Sequence, residues 1–351
     1  MLLYIHIPYC DSKCYYCSFN SYVDKFDTRK SYMQALLEQL KFELERFGVK
    51  RDSIDTLFIG GGTPSTVATE LYQPIFELLG PYLKEEAEMT SEANPNSASK
   101  AWLAGMKSLG INRISFGVQS FSADKLKALN RAHSPREAIE AIENAKLLGF
   151  QHLSLDLIYN FLGDSTLSLL SDIKQASALP IDHISAYELT IEANTPFAKR
   201  PKVRQEDERL AQFVVQSIQE HGFAQYEISN FGTYQSRHNI GYWRLENYIG
   251  AGAGAVGFLG NTRYYPQVNI DAYISNPLKI SNEKLKDIEL LTERIFLGLR
   301  SCVGINKDIL PLPMQTRADY LVQKQKLRLD SNRYHNPDFF IADEIALYLI
   351  N

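Results

Sequence analysis

"CDSKCYYC", residues 10–17, follows the apolar run "LLYIHIPY" and places three of the chain's four cysteines within eight residues. Cys10, Cys14 and Cys17 are spaced C-x3-C-x2-C. A disulfide would strand one thiol, and a redox dithiol uses C-x-x-C with nothing for a third cysteine to do. Structural zinc takes four ligands, and the fourth would have to be His6, inside the predicted first strand, or a distant residue. Three soft thiolates suit an iron–sulfur cluster best. A four-iron cluster held by three cysteines leaves one iron open to a small molecule. Cys302 follows a helical pattern and reads as a buried free thiol, a poor fourth ligand.

Outward from this loop, short apolar runs alternate with amphipathic stretches. Strands are expected at 2–7, 55–59, 88–92, 112–116, 152–158 and 182–189. Between 28 and 47, Tyr32, Leu36, Leu37, Leu40, Leu44 and Phe47 recur at helical steps. Ser134-Pro135 is a helix start, and "RFG", "SLG", "LLG" and "EHG" are helix ends, with glycine in the left-handed position. Repeated βα units imply parallel strands with right-handed crossovers. After successive strands come the cysteine loop, "GGGTPS", "EANP", "GVQS", "DLIYN" and "YELT". Ligand sites of such folds lie at the carboxyl ends of parallel strands, so these motifs favour a partial TIM-like (β/α)6 barrel.

The rhythm changes after a helix at about 204–221. Residues 231–351 read as a smaller α+β C-terminal region packed on a core of 1–230, with helices near 284–300 and 314–325. Hairpin-like β segments ending in "FFIADEIALYLI" are expected last. "GAGAVG" at 252–257 satisfies G-x-G-x-x-G, but no buried strand precedes it and no helix follows. It reads as a close-packed turn near the cofactor. Over 351 residues, 45% are hydrophobic and 22% charged, ordinary for a folded domain, and the net charge of −4 argues against a nucleic-acid partner. No apolar run reaches the roughly 20 residues of a membrane span, and the N-terminus does not resemble a secretory leader, so the reducing cytoplasm is the expected location.

"IGGGTPS" at 59–65 lacks the lysine of a Walker loop and the spacing of a dinucleotide fingerprint; three glycines supply close backbone approach to a ligand. Together with C-x3-C-x2-C and Tyr16 just before the last cysteine, it resembles the signature of radical S-adenosylmethionine (SAM) proteins. In that superfamily the amino and carboxylate groups of SAM chelate the open iron of a [4Fe-4S] cluster. Electron transfer from the reduced cluster then cleaves a carbon–sulfur bond, yielding a 5′-deoxyadenosyl radical. The resemblance implies that Cys10, Cys14 and Cys17 hold the cluster and that Gly61, Gly62 and Thr63 contact SAM.

The resemblance extends to proteins related to oxygen-independent coproporphyrinogen III oxidase. "YIHIPYC" is similar to their first strand and implies a cofactor role for Tyr4. Glu92 of "EANP", Gln119 of "GVQS", Arg131 of "LNRAH" and Asp156 of "SLDLI" match further SAM positions. An arginine suits the SAM carboxylate, and the others suit ribose hydroxyls. Within this group the chain resembles the HemW-type heme chaperones more than the oxidases. Phe19 stands where an oxidase carries another cysteine, the chain begins at the first strand without the oxidase's extension, and "HNIGYW" at 238–243 matches a heme-associated HNxxYW motif. The implied cargo is heme or another tetrapyrrole, with a heme-acceptor protein and an electron donor as partners. His238, Asn239, Tyr242 and Trp243 are then the expected heme contacts, His238 as an axial ligand of the iron. The enzymatic alternative is decarboxylation of coproporphyrinogen propionates, or another radical modification of a tetrapyrrole.

Overall fold

The computed structural model describes Met1–Asn351. Strands and helices alternate through the first two thirds as β1 (Leu2–Ile7), α1 (Arg29–Arg46), β2 (Ile54–Gly61), α2 (Gln73–Leu79), β3 (Leu83–Ala93) and α3 (Lys100–Ser108). They continue as β4 (Arg113–Gln119), α4 (Ala123–Ala128), α5 (Pro135–Leu147), β5 (His152–Tyr159), α6 (Thr166–Ser177), β6 (His183–Glu188) and α7 (Glu208–Glu220). All six expected strands form, and β1 to β6 lie side by side in chain order, every pairing parallel. The helix endings behave as their glycines require. Gly48, Gly110, Gly149 and Gly222 all have positive φ, where a Cβ is strained. Ser134 opens α5 with a capping box to Glu137 and a first-turn proline.

Alternation along the strands sets the two faces. Leu3, Ile5, Ile7, Leu57, Ile59, Ile114, Phe116, Leu153 and Leu155 face the helices and share one apolar core. The intervening residues, among them Tyr4, Thr56, Phe58, Glu88, Glu92, Arg113, Asp156 and His183, take the opposite face, which is mainly polar. The six strands are a partial barrel, because β1 does not pair with β6. The sheet continues through β7 (Ala224–Gln225) and β8 (Asn230–Gly232) beside β6. A short helix, α8 (Arg237–Trp243), then crosses to β9 (Tyr248–Ala251), which lies parallel to β1. β10 (Gly257–Leu259), β11 (Thr262–Pro266) and, after α9 (Ile270–Ser275), β12 (Ile280–Lys284) complete that edge.

Beyond residue 230 the chain therefore occupies two settings. Up to Lys284 it extends the main sheet. From α10 (Asp287–Leu299) it builds a core of its own with β13 (Ile305–Asn306), α11 (Leu312–Gln323), the hairpin β14 (Arg328–Asp330) and β15 (Arg333–His335), and α12 (Ala342–Ile350). One expectation is corrected here. "FFIADEIALYLI" ends in a helix, not a strand, because Ala342, Ile345, Ala346 and Leu349 are buried at helical spacing. Cys302 is a second correction: it is exposed on the turn after α10, where its amide donates to the Tyr226 carbonyl at 2.7 Å.

Helix α8 carries "HNIGYW" and is laid across the N-terminal end of the polar strand face. The buried Glu88 carboxylate of β3 accepts from the backbone amides of Arg237 (2.8 Å) and His238 (3.0 Å) and from the Tyr234 hydroxyl (2.7 Å). A carboxylate so placed satisfies the orphan amides that begin a helix. A Cβ on Gly241 would lie 2.4 Å from the Leu2 side chain, so glycine is what lets the helix seat against β1.

Candidate cofactor site

The cysteine loop leaves β1 and is held to its surroundings by backbone hydrogen bonds, Cys10 N to Tyr22 O at 3.0 Å and Tyr15 N to Leu129 O at 3.2 Å. Cys10, Cys14 and Cys17 are all unpaired thiols, the first two buried. Each buried sulfur already has a donor: Thr63 Oγ1 lies 3.4 Å from Cys10 Sγ and Arg131 Nη1 3.2 Å from Cys14 Sγ. Burial raises the Cys10 and Cys17 thiols above their ordinary value. No group of three or more His, Cys, Asp or Glu side chains converges on one point as a single ion requires. His6, the only nearby zinc candidate, is committed to Tyr4 Oη (3.0 Å) and Asn20 O (2.8 Å). Three thiols with donors to their sulfurs, but no common point, fit a polynuclear cluster in which each cysteine takes its own iron.

The glycine segment after β2 is packed against this loop. Gly61 has φ +108, and a Cβ there would strike the His6 ring at 2.4 Å; a Cβ on Gly62 would lie 2.7 Å from Tyr9 O. The same Gly61 donates its amide to Glu92 Oε2 at 3.1 Å. Gln119 also has positive φ (72°), at an irregularity in the β4–β5 pairing that turns its side chain to the strand ends. Arg131 spans the site: besides Cys14 it donates to Asn94 Oδ1 at 2.7 Å and to the Gly117 carbonyl, while its buried Nε has no partner. Asn94 completes the link by donating to Thr63 Oγ1 at 3.1 Å. Asn94 is the connecting residue that the sequence reading passed over, although it sits inside the quoted "EANP".

Two carboxylates face each other across the strand ends. Burial, then the nearby Asp156 charge, pushes Glu92 up to about 8, and burial raises Asp156 to about 6 against a hydrogen bond from Ser185. Neighbouring acids with raised values are a common feature of ligand sites. Here they suit a cationic ligand that carries hydroxyl donors.

One cavity of about 730 Å³ gathers most of the expected residues. Cys10, Cys14, Tyr16, Cys17, Gly61, Gly62, Thr63, Glu92, Gln119, Arg131 and Asp156 all line it. Tyr4 does not; it lies one layer deeper, with its hydroxyl on His6. The "GAGAVG" turn is likewise absent from the lining and packs behind it, where a Cβ on Gly252 would lie 2.6 Å from His6 O and one on Gly254 3.0 Å from Asn20 Nδ2.

"HNIGYW" is also outside the cavity, so the structure does not bring the expected heme contacts together with the expected cofactor residues. His238 is 1% exposed, hydrogen-bonded to Thr56 and stacked on Phe58 with ring centroids 5.1 Å apart. Burial lowers it to about 3. Its ring meets Tyr242 edge-on, and Asn239 and Trp243 are only partly exposed on the same short helix. An axial ligand needs a free nitrogen reachable by a macrocycle. The Nε2 of His238 is free, but it is sealed beneath the helix.

Comparison with known proteins agrees with this geometry. A family model of the radical SAM superfamily matches residues 4–173. The heme chaperone HemW of Bacillus subtilis is 34% identical over 323 residues, which cover 87% of this chain and 84% of the relative. HemW of Escherichia coli is 41% identical over 263 residues, covering 73% and 69%. Among solved structures, the radical SAM enzyme coproporphyrinogen III oxidase of Escherichia coli superposes with a TM-score of 0.82, over all of this chain and 90% of that one, at 17% identity. That likeness establishes the fold.

Proposed function

The chain belongs to the radical SAM superfamily and, within it, to the HemW heme chaperone family, and from that premise we propose that it binds heme and delivers it to an acceptor protein. The observation that carries this reading is the identity to named heme chaperones along most of both chains. Cys10, Cys14 and Cys17 would hold the [4Fe-4S] cluster, and SAM would lie along Gly61, Gly62, Thr63, Glu92, Gln119, Arg131 and Asp156. The cluster supplies an open iron position and a single electron. The chain's own residues do the rest. Arg131, fixed beside Cys14, offers a cation for the SAM carboxylate. Glu92 and Asp156 accept from ribose hydroxyls and balance the sulfonium charge. Thr63 and Asn94 tie the glycine segment to Arg131 through two hydrogen bonds, which fixes the arginine relative to the loop.

Under this reading, residues 1–230 are the cofactor-bearing core and 231–351 the chaperone-type extension. The protein works in the cytoplasm with a heme acceptor and a one-electron donor; no helix is long and apolar enough to cross a membrane. The enzymatic alternative, oxidation of coproporphyrinogen III, has the fold likeness behind it. Against it stands Phe19, 67% exposed where the oxidases carry a cysteine. The test is anaerobic reconstitution followed by heme titration with and without SAM, then challenge with apomyoglobin. Saturable heme uptake and transfer to apomyoglobin is the expected result; failure to take up heme overturns the proposal.

A further inference from the structure

Between β6 and α7 the chain reads "PFAKRPKVR" at 196–204, with four cations and no acid in a protein of net charge −4. Arg204 is taken up by Glu188 at 3.0 Å and Glu206 at 3.4 Å. Lys199, Arg200 and Lys202 are exposed, and none of the three forms an ion pair. The segment is nevertheless rigidly held. Two one-turn 3₁₀ helices, Pro196–Lys199 and Pro201–Val203, each open on a proline, which fixes the backbone there. Phe197 is buried in an apolar cluster with Leu129, Ile158 and Leu189. Leu162 N donates to Val203 O at 2.7 Å, and Gln205 N donates to Asn160 O at 2.8 Å. Leu162 itself is 57% exposed, so a bare apolar side chain stands beside the cations.

This segment lies against the cysteine loop. Phe197 N donates to Tyr15 O at 3.1 Å, and the Arg200 guanidinium stands 5.6 Å from the centroid of the Tyr15 ring. Neighbouring tyrosines take opposite sides of that loop. Tyr16 lines the cavity with Cys14 and Cys17, whereas Tyr15, Lys199, Arg200 and Lys202 do not. The cations therefore face away from the cavity, and whatever binds them leaves it free. Joining β6 to α7 requires no such charge, and like charges set this close repel one another.

We propose that Lys199, Arg200 and Lys202, set around Leu162, dock an acidic one-electron carrier protein that reduces the cluster from the back of the cysteine loop. This rests on the reading of Cys10, Cys14 and Cys17 as cluster ligands. One electron leaves the carrier's reduced flavin or iron–sulfur centre and enters the cluster; no atom is transferred. Tyr15, peptide-bonded to Cys14, gives a short route from this face to a ligand of the cluster. Unneutralised cations beside an apolar side chain fit a surface of carboxylates. Charge of this kind governs the association rate and its salt dependence more than the final affinity. The rest of the surface carries the net negative charge and repels such a carrier, which leaves this face as its landing place.

The experiment follows cluster reduction in the full-length reconstituted protein by anaerobic stopped-flow absorbance. One reductant is flavodoxin hydroquinone, an acidic one-electron carrier; the other is photoreduced deazaflavin, a small molecule that needs no docking face. Wild type is compared with Lys199→Glu/Arg200→Glu/Lys202→Glu and, as a charge control, with Lys324→Glu/Arg328→Glu at the exposed turn between α11 and β14. Reduction by flavodoxin is expected to be about tenfold slower or more in the triple variant at low ionic strength, with the salt dependence of wild type lost. Deazaflavin rates in both variants, and flavodoxin rates in the control, should match wild type. A wild-type flavodoxin rate in the triple variant overturns the docking face, as does a wild type that deazaflavin reduces and flavodoxin does not. A wild type that neither reductant reduces overturns the cluster reading itself. A triple variant slow with both reductants has a disturbed cluster; Lys199→Gln/Lys202→Gln then replaces it, with the same outcomes.

Discussion

His238 Nδ1 lies 2.7 Å from Thr56 Oγ1 in the interior of the partial barrel, joining α8 to β2. Above it the imidazole stacks on Phe58, and the Phe58 ring lies against Gly60, where Glu92 also packs. The histidine of "HNIGYW" thus supports the floor beneath the Glu92 carboxylate. His238→Ala removes a buried ring and a hydrogen bond, which costs about 2–4 kcal/mol of stability. It is expected to weaken SAM binding several-fold through the slackened Phe58, read by equilibrium dialysis. His238→Asn, which can still bond Thr56, should recover part of both losses.

The same residue gives the protein an acid dependence. His238 is held at about 3 by burial, whereas the unfolded chain protonates near the ordinary histidine value of 6.5. Between those values the unfolded state binds the extra proton, so stability falls as pH drops from about 6.5 toward 3. Denaturant midpoints across that window should decline more steeply for wild type than for His238→Asn. Equal slopes would show that the imidazole is not neutral in the folded protein.

SAM affinity should have the opposite origin and the same direction. Glu92 and Asp156 are raised to about 8 and about 6, so in the free site the pair carries protons that a sulfonium ligand would displace. Binding is expected to tighten roughly tenfold between pH 6 and 8.5, with proton release, and Glu92→Gln should flatten the profile. A flat wild-type profile would contradict the placement of these carboxylates around the cofactor.

Substitution within the cysteine set separates ligands from bystanders. Cys10→Ala, Cys14→Ala and Cys17→Ala should each abolish stable cluster incorporation, measured as iron and sulfide per chain. Cys302→Ala should retain both, since that thiol sits exposed on a turn away from the cavity. Arg131→Lys keeps a charge but cannot reach Cys14, Asn94 and Gly117 together. It should keep its iron and lose at least tenfold in SAM affinity.

Which residues gather around the cavity was legible in the sequence because their motifs are local. Three cysteines within eight residues, a glycine run after a strand and polar residues at successive strand ends each point the same way without tertiary information. What escaped is what depends on packing across the chain. Tyr4 lies on the right face of β1 but one layer too deep, since strand alternation gives the face and not the depth. The packing of "HNIGYW" on Glu88, Thr56 and Leu2 could not be read from the motif, because these contacts are separated by more than 140 residues. Likewise, nothing in "FFIADEIALYLI" announces that its first two residues line the cavity of a barrel that ended more than a hundred residues earlier.

The most direct test of the chaperone account is anaerobic incubation of the reconstituted protein with SAM, a one-electron reductant and coproporphyrinogen III, with chromatography of the tetrapyrroles, beside a parallel heme-binding assay. The account predicts unaltered coproporphyrinogen III together with saturable heme uptake. Formation of protoporphyrinogen IX at catalytic turnover would contradict it and assign the cavity to propionate decarboxylation.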